Sequence, residues 1–330
     1  MNDRAMGLLE QYDYEVLRTR KGRGAIICDT DKGCLIFKEY TGNEQRITLQ
    51  NQLLQHILQQ NKVEVERIIP TKEGALFVKD HDGVKYLLKT YCEGRECNIY
   101  DQTECLEAVR LLARLHQCTE NPETVDVHIP RASQSKEYEK HNRELKKVRK
   151  YLQQKSQKSW FEIQLLHTFD LFLEQALDVA KDWSYYQNSV FADASWESGQ
   201  SVCHGDYQYH NIVKGDKGWF LINFEKCVPD DPIRDLYLFM RKLLEKSNWS
   251  VALGKSLLQT YEKERPISVM SRTDLYYRLA YPEKFWKIVN FYYNSGKAWI
   301  PERNQEKLMK LLEQEEAKGH FLEEVFQNLP

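Results

Sequence analysis

Glycine is sparse in this chain, with 15 in 330 residues against an ordinary usage of about 7%. Few positions can therefore take the left-handed backbone that tight turns and close approaches require, and each glycine pair marks a place to look. An excess of one charge is missing too. The 47 Lys and Arg face 49 Asp and Glu, for a net charge of -2, so the chain as a whole does not seek a polyanion, and a nucleic-acid role would need a local basic patch. No apolar run approaches the roughly 18 residues of a spanning helix, which excludes an integral membrane protein. Residues 1–14 carry Asp3, Arg4, Glu10 and Asp13 and hold no apolar stretch of secretory-signal length. The eight cysteines (28, 34, 92, 97, 105, 118, 203 and 227) form no C-x-x-C pair and no Cys/His zinc spacing. Reduced, packed thiols in a cytoplasmic setting are expected, with Cys28 and Cys34 flanking a turn but packing rather than bonding.

What remains is a globular chain of one or two domains, 42% hydrophobic with a mean hydropathy of -0.66. Its first part is built from short runs of β-branched and aromatic residues separated by turn signals. Strands are expected over residues 14–19, 25–29 and 34–39, a helix over 44–60, then strands over 63–69, 75–79 and 84–91. The last two join through His81-Asp82-Gly83. Six runs read as strands, and the expected fold is a five-stranded antiparallel sheet with one helix. After Gly94 the pattern turns helical. Asp101 and Glu104 suggest a capping box ahead of Leu106, Val109, Leu112 and Leu115, and long helices follow over 136–154 and 161–180. Residues 201–224 return to strands and turns, and helices run from 235 onward. The expected division is 1–91, a 92–95 hinge, and 96–330.

The chemistry concentrates in Cys203-His204-Gly205-Asp206, with Asn211 five positions after Asp206. Phosphoryl transfer needs a carboxylate to take the proton of the attacking hydroxyl and a carboxamide oxygen to hold a metal on the nucleotide phosphates. A turn of this length can bring both to one cleft. Twelve residues beyond Asn211 comes Asn223, in the run Leu221-Ile222-Asn223-Phe224-Glu225, which reads as an apolar strand end that sends Asn223 and Glu225 to the same side.

With these segments in view, the chain resembles the aminoglycoside phosphotransferase and choline kinase branch of the protein-kinase-like fold, and within it the spore coat CotS-type family. The likeness runs through Lys21-Gly22-Arg23-Gly24-Ala25, Leu35-Ile36-Phe37-Lys38-Glu39-Tyr40, Ala113-Arg114-Leu115-His116, the His204-Gly205-Asp206 loop, Asp231-Pro232-Ile233-Arg234-Asp235-Leu236 and Tyr281-Pro282-Glu283-Lys284-Phe285-Trp286. It implies an α+β, bilobal fold, with residues 1–91 as the nucleotide-binding lobe and 96–330 as a larger, mostly helical catalytic and substrate lobe. It implies ATP and Mg²⁺ as cofactors, with Asp206 as the catalytic base and Asn211, Asn223 and Glu225 as metal ligands. Lys38 is implied to meet nucleotide phosphates, beneath a loop carrying Gly22, Arg23 and Gly24. Backbone at Tyr91, Cys92 and Glu93 is implied to meet the base, with His204 and Asp235 supporting the catalytic loop. Partners implied are the nucleotide, an unidentified small-molecule, protein or glycan acceptor, and other spore coat proteins, which would place it in the cytoplasm or the coat.

The chain departs from that pattern in three places. Asn223 stands where active kinases of this fold carry a metal-chelating Asp, and an amide oxygen brings no charge to a hard cation. The helix after Lys38 offers Gln50, Gln52 and Gln55 where a glutamate would tie the lysine, with Glu44 the nearest acid. The Arg20–Gly24 loop has two glycines and three basic side chains, and taken alone reads as a plain hairpin with solvated arginines rather than a phosphate loop. Three functions are therefore weighed: a phosphotransferase acting on a hydroxyl, a catalytically impaired nucleotide-binding or structural coat component, and nucleic-acid binding through residues 136–158. In that last segment nine Lys and Arg face three Glu. A solvated helix face over Leu145, Val148 and Leu152 accounts for it. The aromatics between Tyr281 and Trp299 suit either an amine-binding cleft or a core.

Overall fold

The computed structural model describes residues 3–22, 24–120, 122, 125, 133–190, 201–294, 302–327 and 329. The chain forms two compact units, one of residues 1–131, 199–239 and 260–265, the other of 132–198, 240–259 and 266–330.

In the first unit, β1 (Val16–Gly22), β2 (Ala25–Thr30) and β3 (Gly33–Tyr40) join through two-residue turns, with Gly22 opposite Ala25 and Thr30 opposite Gly33. Helix α1 (Glu44–Gln60) covers the expected residues. It starts where the Asn43 side chain accepts the Arg46 N–H at 2.9 Å and stops at Asn61, which has φ 52. Then come β4 (Glu64–Val65), β5 (Ile68–Ile69), β6 (Val78–Lys79) and β7 (Lys85–Thr90). The main sheet follows the antiparallel path β1-β2-β3-β7-β5 with β6 beside β7, six strands where five were expected, because the run at 75–79 also pairs into it. Phe37 and Tyr86 stack at 5.2 Å in its core.

Further along lie β8 (Arg95–Glu96), α2 (Gln102–Cys118), β9 (Val202–Cys203), β10 (Ile212–Gly215), β11 (Gly218–Leu221) and β12 (Val228–Pro229). They build a second sheet ordered β4-β11-β10-β8 and the pair β12-β9. Residues 63–69 are thus not one strand. β4 runs parallel to β11 in the second sheet while β5 pairs with β7 in the first. The chain crosses at Glu66, whose N–H donates to Leu221 O at 3.0 Å, and at Arg67, whose backbone bonds to Thr90. The α2 cap also differs from a capping box. Asp101 accepts the N–H groups of Thr103 and Glu104, but the Glu104 carboxylate turns instead to Arg95 and the Asn98 N–H.

The second unit packs α3 (Gln134–Gln154), α4 (Trp160–Tyr185), α7 (Val269–Ala280), α8 (Glu283–Asn294), α9 (Glu302–Glu313) and α10 (Glu315–Phe326). Helices α5 (Ile233–Lys246) and α6 (Val251–Glu264) contribute to both units. The basic helix α3 buries Leu145, Val148 and Leu152, as its apolar spacing implies. Most of the aromatic stretch is core. Phe285 meets Phe169 and Phe172 at 5.1 and 4.6 Å, Tyr281 stacks on Tyr138 at 4.1 Å, and Trp286 on His141 at 3.5 Å. Phe291 and Tyr293 are exposed, and Trp299 lies outside the described residues. All eight cysteines are free thiols. No helix among the described residues is long and apolar enough to cross a membrane.

Candidate active site

The loop after β9 owes its shape to a buried carboxylate. Asp235, in the first turn of α5, accepts the backbone N–H of His204 at 2.6 Å and of Gly205 at 2.9 Å. Burial works against its charge, but the hydrogen bonds from His116 and from the Gly205 N–H outweigh it and hold the carboxyl below its ordinary value. An ionised Asp235 only accepts, so His116 Nε2 donates to it at 3.4 Å while His116 Nδ1 accepts from the Tyr261 hydroxyl at 2.7 Å. His204 Nδ1 accepts the Asp206 N–H at 3.2 Å and His204 Nε2 donates to Ile222 O at 3.0 Å, which defines the Nε2–H tautomer. Gly205 has φ +78, and a Cβ there would lie 2.0 Å from Lys226 O. The loop therefore lies directly against the 3-10 turn Phe224–Lys226.

These supports place Asp206 and Asn211 in one cluster. Asp206 accepts from Gln208 at 3.0 Å and from the Lys226 ammonium at 2.9 Å. Asn211 donates to Asp206 O at 2.8 Å, and its Oδ1 accepts from Asn223 Nδ2 at 2.8 Å. Asn223 is not on a strand, since β11 ends at Leu221. It sits at φ 65, ψ 56 and leads into the 3-10 turn, a left-handed position that asparagine tolerates better than most residues. That turn, rather than strand alternation, brings Asn223 and Glu225 together. Lys38 Nζ on β3 donates to Asn223 Oδ1 at 3.2 Å and to Glu225 Oε1 at 3.3 Å.

Beneath them lies a pair that the sequence reading missed. Lys89 on β7 is 1% exposed; its ammonium touches Glu225 Oε1 at 2.8 Å and Glu66 Oε2 at 3.0 Å. Glu66 in turn accepts the Phe224 N–H at 3.1 Å and Gln50 Nε2 at 3.3 Å. Burial opposes the Glu225 charge, and Lys89 and Lys38 overcome it, so its carboxyl lies well below the usual range. Glu66 and Glu225 likewise raise the Lys89 ammonium despite its burial. Glu44 plays no part, being paired with Lys79 at 3.1 Å. The one available sequence signal is a lysine closing the apolar run Tyr86-Leu87-Leu88 in a strand paired on both sides.

Lys38, Asp206, Asn211, Asn223 and Glu225 line a cleft of about 420 Å³, with Arg46 and His210 at its walls, within the range of small-ligand sites. Asn211, Asn223 and Glu225 offer the oxygen donors that a hard divalent cation takes. Among the described residues, however, no three His, Cys, Asp or Glu stand at metal-binding spacing, and the one carboxylate of the set is shared by two lysines. The residues fit Mg²⁺ through oxygen, with less charge than a two-carboxylate centre.

The other expected nucleotide contacts are placed as follows. Gly22 and Gly24 belong to a tight hairpin, and Arg23 lies outside the described residues. Arg20 is engaged with Glu93 at 2.5 Å and sits 5.5 Å from the Tyr91 ring. The Tyr91 N–H donates to Cys34 O at 3.0 Å, and Cys92 Sγ lies 3.6 Å from Glu93 O.

Comparison with known proteins bears on family and fold. The family model described as "Spore coat putative kinase YutH" matches residues 6–325. Spore coat protein S of Bacillus subtilis (strain 168) is 23% identical over 318 residues, covering 95% of this chain and 90% of that protein. Among solved structures, the aminoglycoside phosphotransferase from Alicyclobacillus acidocaldarius subsp. acidocaldarius DSM 446 superposes with a TM-score of 0.81 at 20% identity, over 97% of this chain and 95% of that one. Spectinomycin phosphotransferase APH(9)-Ia, in complex with ADP and spectinomycin, superposes at 0.65 and 14% identity, over 97% and 96%. The fold is therefore the α+β kinase-like fold.

Proposed function

The chain belongs to the spore coat YutH kinase-like family, and on that premise we propose that it binds ATP and transfers the γ-phosphate to a hydroxyl acceptor. The observation that carries this reading is the delivery of Asp206 and Asn211 by one backbone-fixed loop into the same cleft as Lys38. Asp206 takes the acceptor's proton as the new O–P bond forms and the bond to the ADP oxygen breaks. Lys38 meets the phosphates together with the loop that carries Gly22 and Gly24, and the 91–93 backbone meets the base. Residues 1–91 act as the nucleotide lobe, 92–95 as the hinge and 96–330 as the catalytic and substrate lobe. Mg²⁺ held by Asn211, Asn223 and Glu225 would neutralise phosphate charge. The acceptor is a small molecule, a protein or a glycan, encountered in the cytoplasm or among other coat proteins.

A second reading is a coat component that binds nucleotide without turning it over. Two observations favour it: Asn223 in place of a carboxylate, and the Lys226 ammonium on the Asp206 oxygen that has to receive a proton. The test measures the thermal midpoint with ATP in EDTA and with ATP plus Mg²⁺, then turnover, for wild type, Asp206→Ala and Asn223→Asp. Turnover that falls about 10²-fold or more in Asp206→Ala supports general-base transfer. Binding without turnover, with turnover gained in Asn223→Asp, supports the second reading. No midpoint shift with any nucleotide ends the phosphotransferase reading and leaves a purely structural coat component.

A further inference from the structure

The second unit carries a cavity of about 250 Å³ that shares no residue with the nucleotide cleft. Helix α5 sends Arg241, Lys242 and Lys246 to its wall, the start of α8 sends Lys284, α9 sends Lys307 and Lys310, and α10 sends Lys318. Only two carboxylates, Glu245 and Glu283, line the same space, and both are already engaged. Glu245 pairs with Arg241 and with Lys284 at 3.0 Å, and Glu283 pairs with Lys287 at 3.2 Å and His141 at 3.4 Å. Lys242, Lys307 and Lys310 make no ion pair or hydrogen bond with any described residue. Lys318 has a side chain 8% exposed, donates to Ala280 O at 2.8 Å, and lies 3.7 Å from its nearest carboxylate, Glu315. Trp249 gives the cavity a buried aromatic wall, with the Lys318 ammonium 5.9 Å from its ring.

Lysines on a solvated surface spread apart, because like charges repel and each keeps its own water. Here seven cations line one concavity with two acids, and with Glu245 already shared by Arg241 and Lys284 and Glu283 by Lys287 and His141, the remaining positive charge is what a bound anion would offset. The effect is felt by the groups themselves. Burial, with Lys284, Arg241 and Lys246 behind it, lowers the Lys242 ammonium in spite of Glu245, and burial lowers Lys318.

We propose that this cavity is a binding site for a compact multivalent anion of the phosphate-ester or pyrophosphate class, held by Lys242, Lys310 and Lys318 over the Trp249 wall. The volume lies just below the roughly 300 Å³ at which drug-sized ligand sites begin, which suits a small ligand rather than a protein segment. The site does not depend on phosphotransfer in the other unit.

The experiment titrates the full chain with inorganic phosphate and with pyrophosphate at low ionic strength, by calorimetry and by thermal midpoint. It compares wild type, Lys242→Ala/Lys310→Ala and Lys38→Met. Pyrophosphate is expected to bind wild type and raise its midpoint, to bind Lys38→Met equally, and to bind the double variant at least about tenfold more weakly. Without any anion, the double variant is expected to melt above wild type at low salt, because repulsion has been relieved, and the gap is expected to close as salt is added. The proposal is overturned if neither anion binds wild type, if the double variant binds as tightly, or if Lys38→Met abolishes binding, which would assign the anion to the nucleotide cleft.

Discussion

Replacing Lys89 by methionine keeps the volume of the side chain and removes its charge. Glu66 is 2% exposed and Glu225 is mostly buried, and both oxygens now bonded to Lys89 would face each other in a poorly hydrated space. Breaking a buried ion pair by deleting one partner costs about 3–5 kcal/mol, a large part of the ~5–15 kcal/mol that stabilises a typical domain. The pH dependence separates this from a simple packing defect. In wild type the folded-state value for Glu225 is depressed, so its contribution is full above the unfolded value of about 4.3 and is lost as pH falls through the folded value. The Lys89 value is raised, so its contribution is full below about 10.4 and is lost as pH rises beyond the folded value. At neutral pH both are fully present, and mild acid brings wild type no stability from this pair. In Lys89→Met the two carboxylates repel in a low dielectric, and one of them gains stability by taking a proton. The variant should therefore become more stable between pH 7 and pH 5, where wild type does not. Urea unfolding midpoints across that range measure the effect, and Glu66→Gln added to Lys89→Met should recover much of the loss. A Lys89→Met protein as stable as wild type at pH 7, with an unchanged pH profile, would refute the reasoning.

Three further outcomes follow from the same geometry. Gly205→Ala combines a left-handed backbone, worth about 1–2 kcal/mol against an L side chain, with a contact of 2.0 Å to backbone at Lys226; it should destabilise the chain by about 2 kcal/mol or more and abolish nucleotide-induced stabilisation. Lys226→Ala breaks an ion pair whose lysine is 68% exposed, so unfolding free energy should change by less than about 1 kcal/mol. Its readout is the midpoint shift with ATP, which should shrink because the cleft loses a cation. Asp206→Ala should enlarge that same shift, since a carboxylate is removed from beside the phosphates.

The meeting of Asp206 and Asn211 was legible because the loop is contiguous. His204, Gly205, Asp206 and Asn211 lie within eight residues, and the two candidate side chains need only a turn to meet. The expected bounds of α1 coincide with those observed, and the Asn43 and Asn61 caps that set them are local features that the apolar spacing alone did not name. The position of Glu225 was reached by a wrong route. Strand alternation was expected to align it with Asn223, whereas the strand ends at Leu221 and a left-handed Asn223 makes the turn that does so. The Lys89 and Glu66 pair could not be read at all, because it depends on a sheet exchange. Residues 63–69 have the composition of one strand, and a single strand would keep Glu66 in the register of its neighbours. Only because β4 pairs with β11 and β5 with β7 does the chain step between sheets at Glu66, turning its carboxylate to Lys89 and to the Phe224 N–H. The glutamate expected on α1 is absent, and Gln50 on that helix binds Glu66 instead. The acid that anchors this site therefore comes from the strand crossing, and Lys38 is oriented by Glu225 and Asn223 from the far side of the cleft. On the proposed reading, a lysine held by the same groups that would ligate a cation has to release or share them when phosphates enter, which would couple nucleotide affinity to Glu225 ionisation.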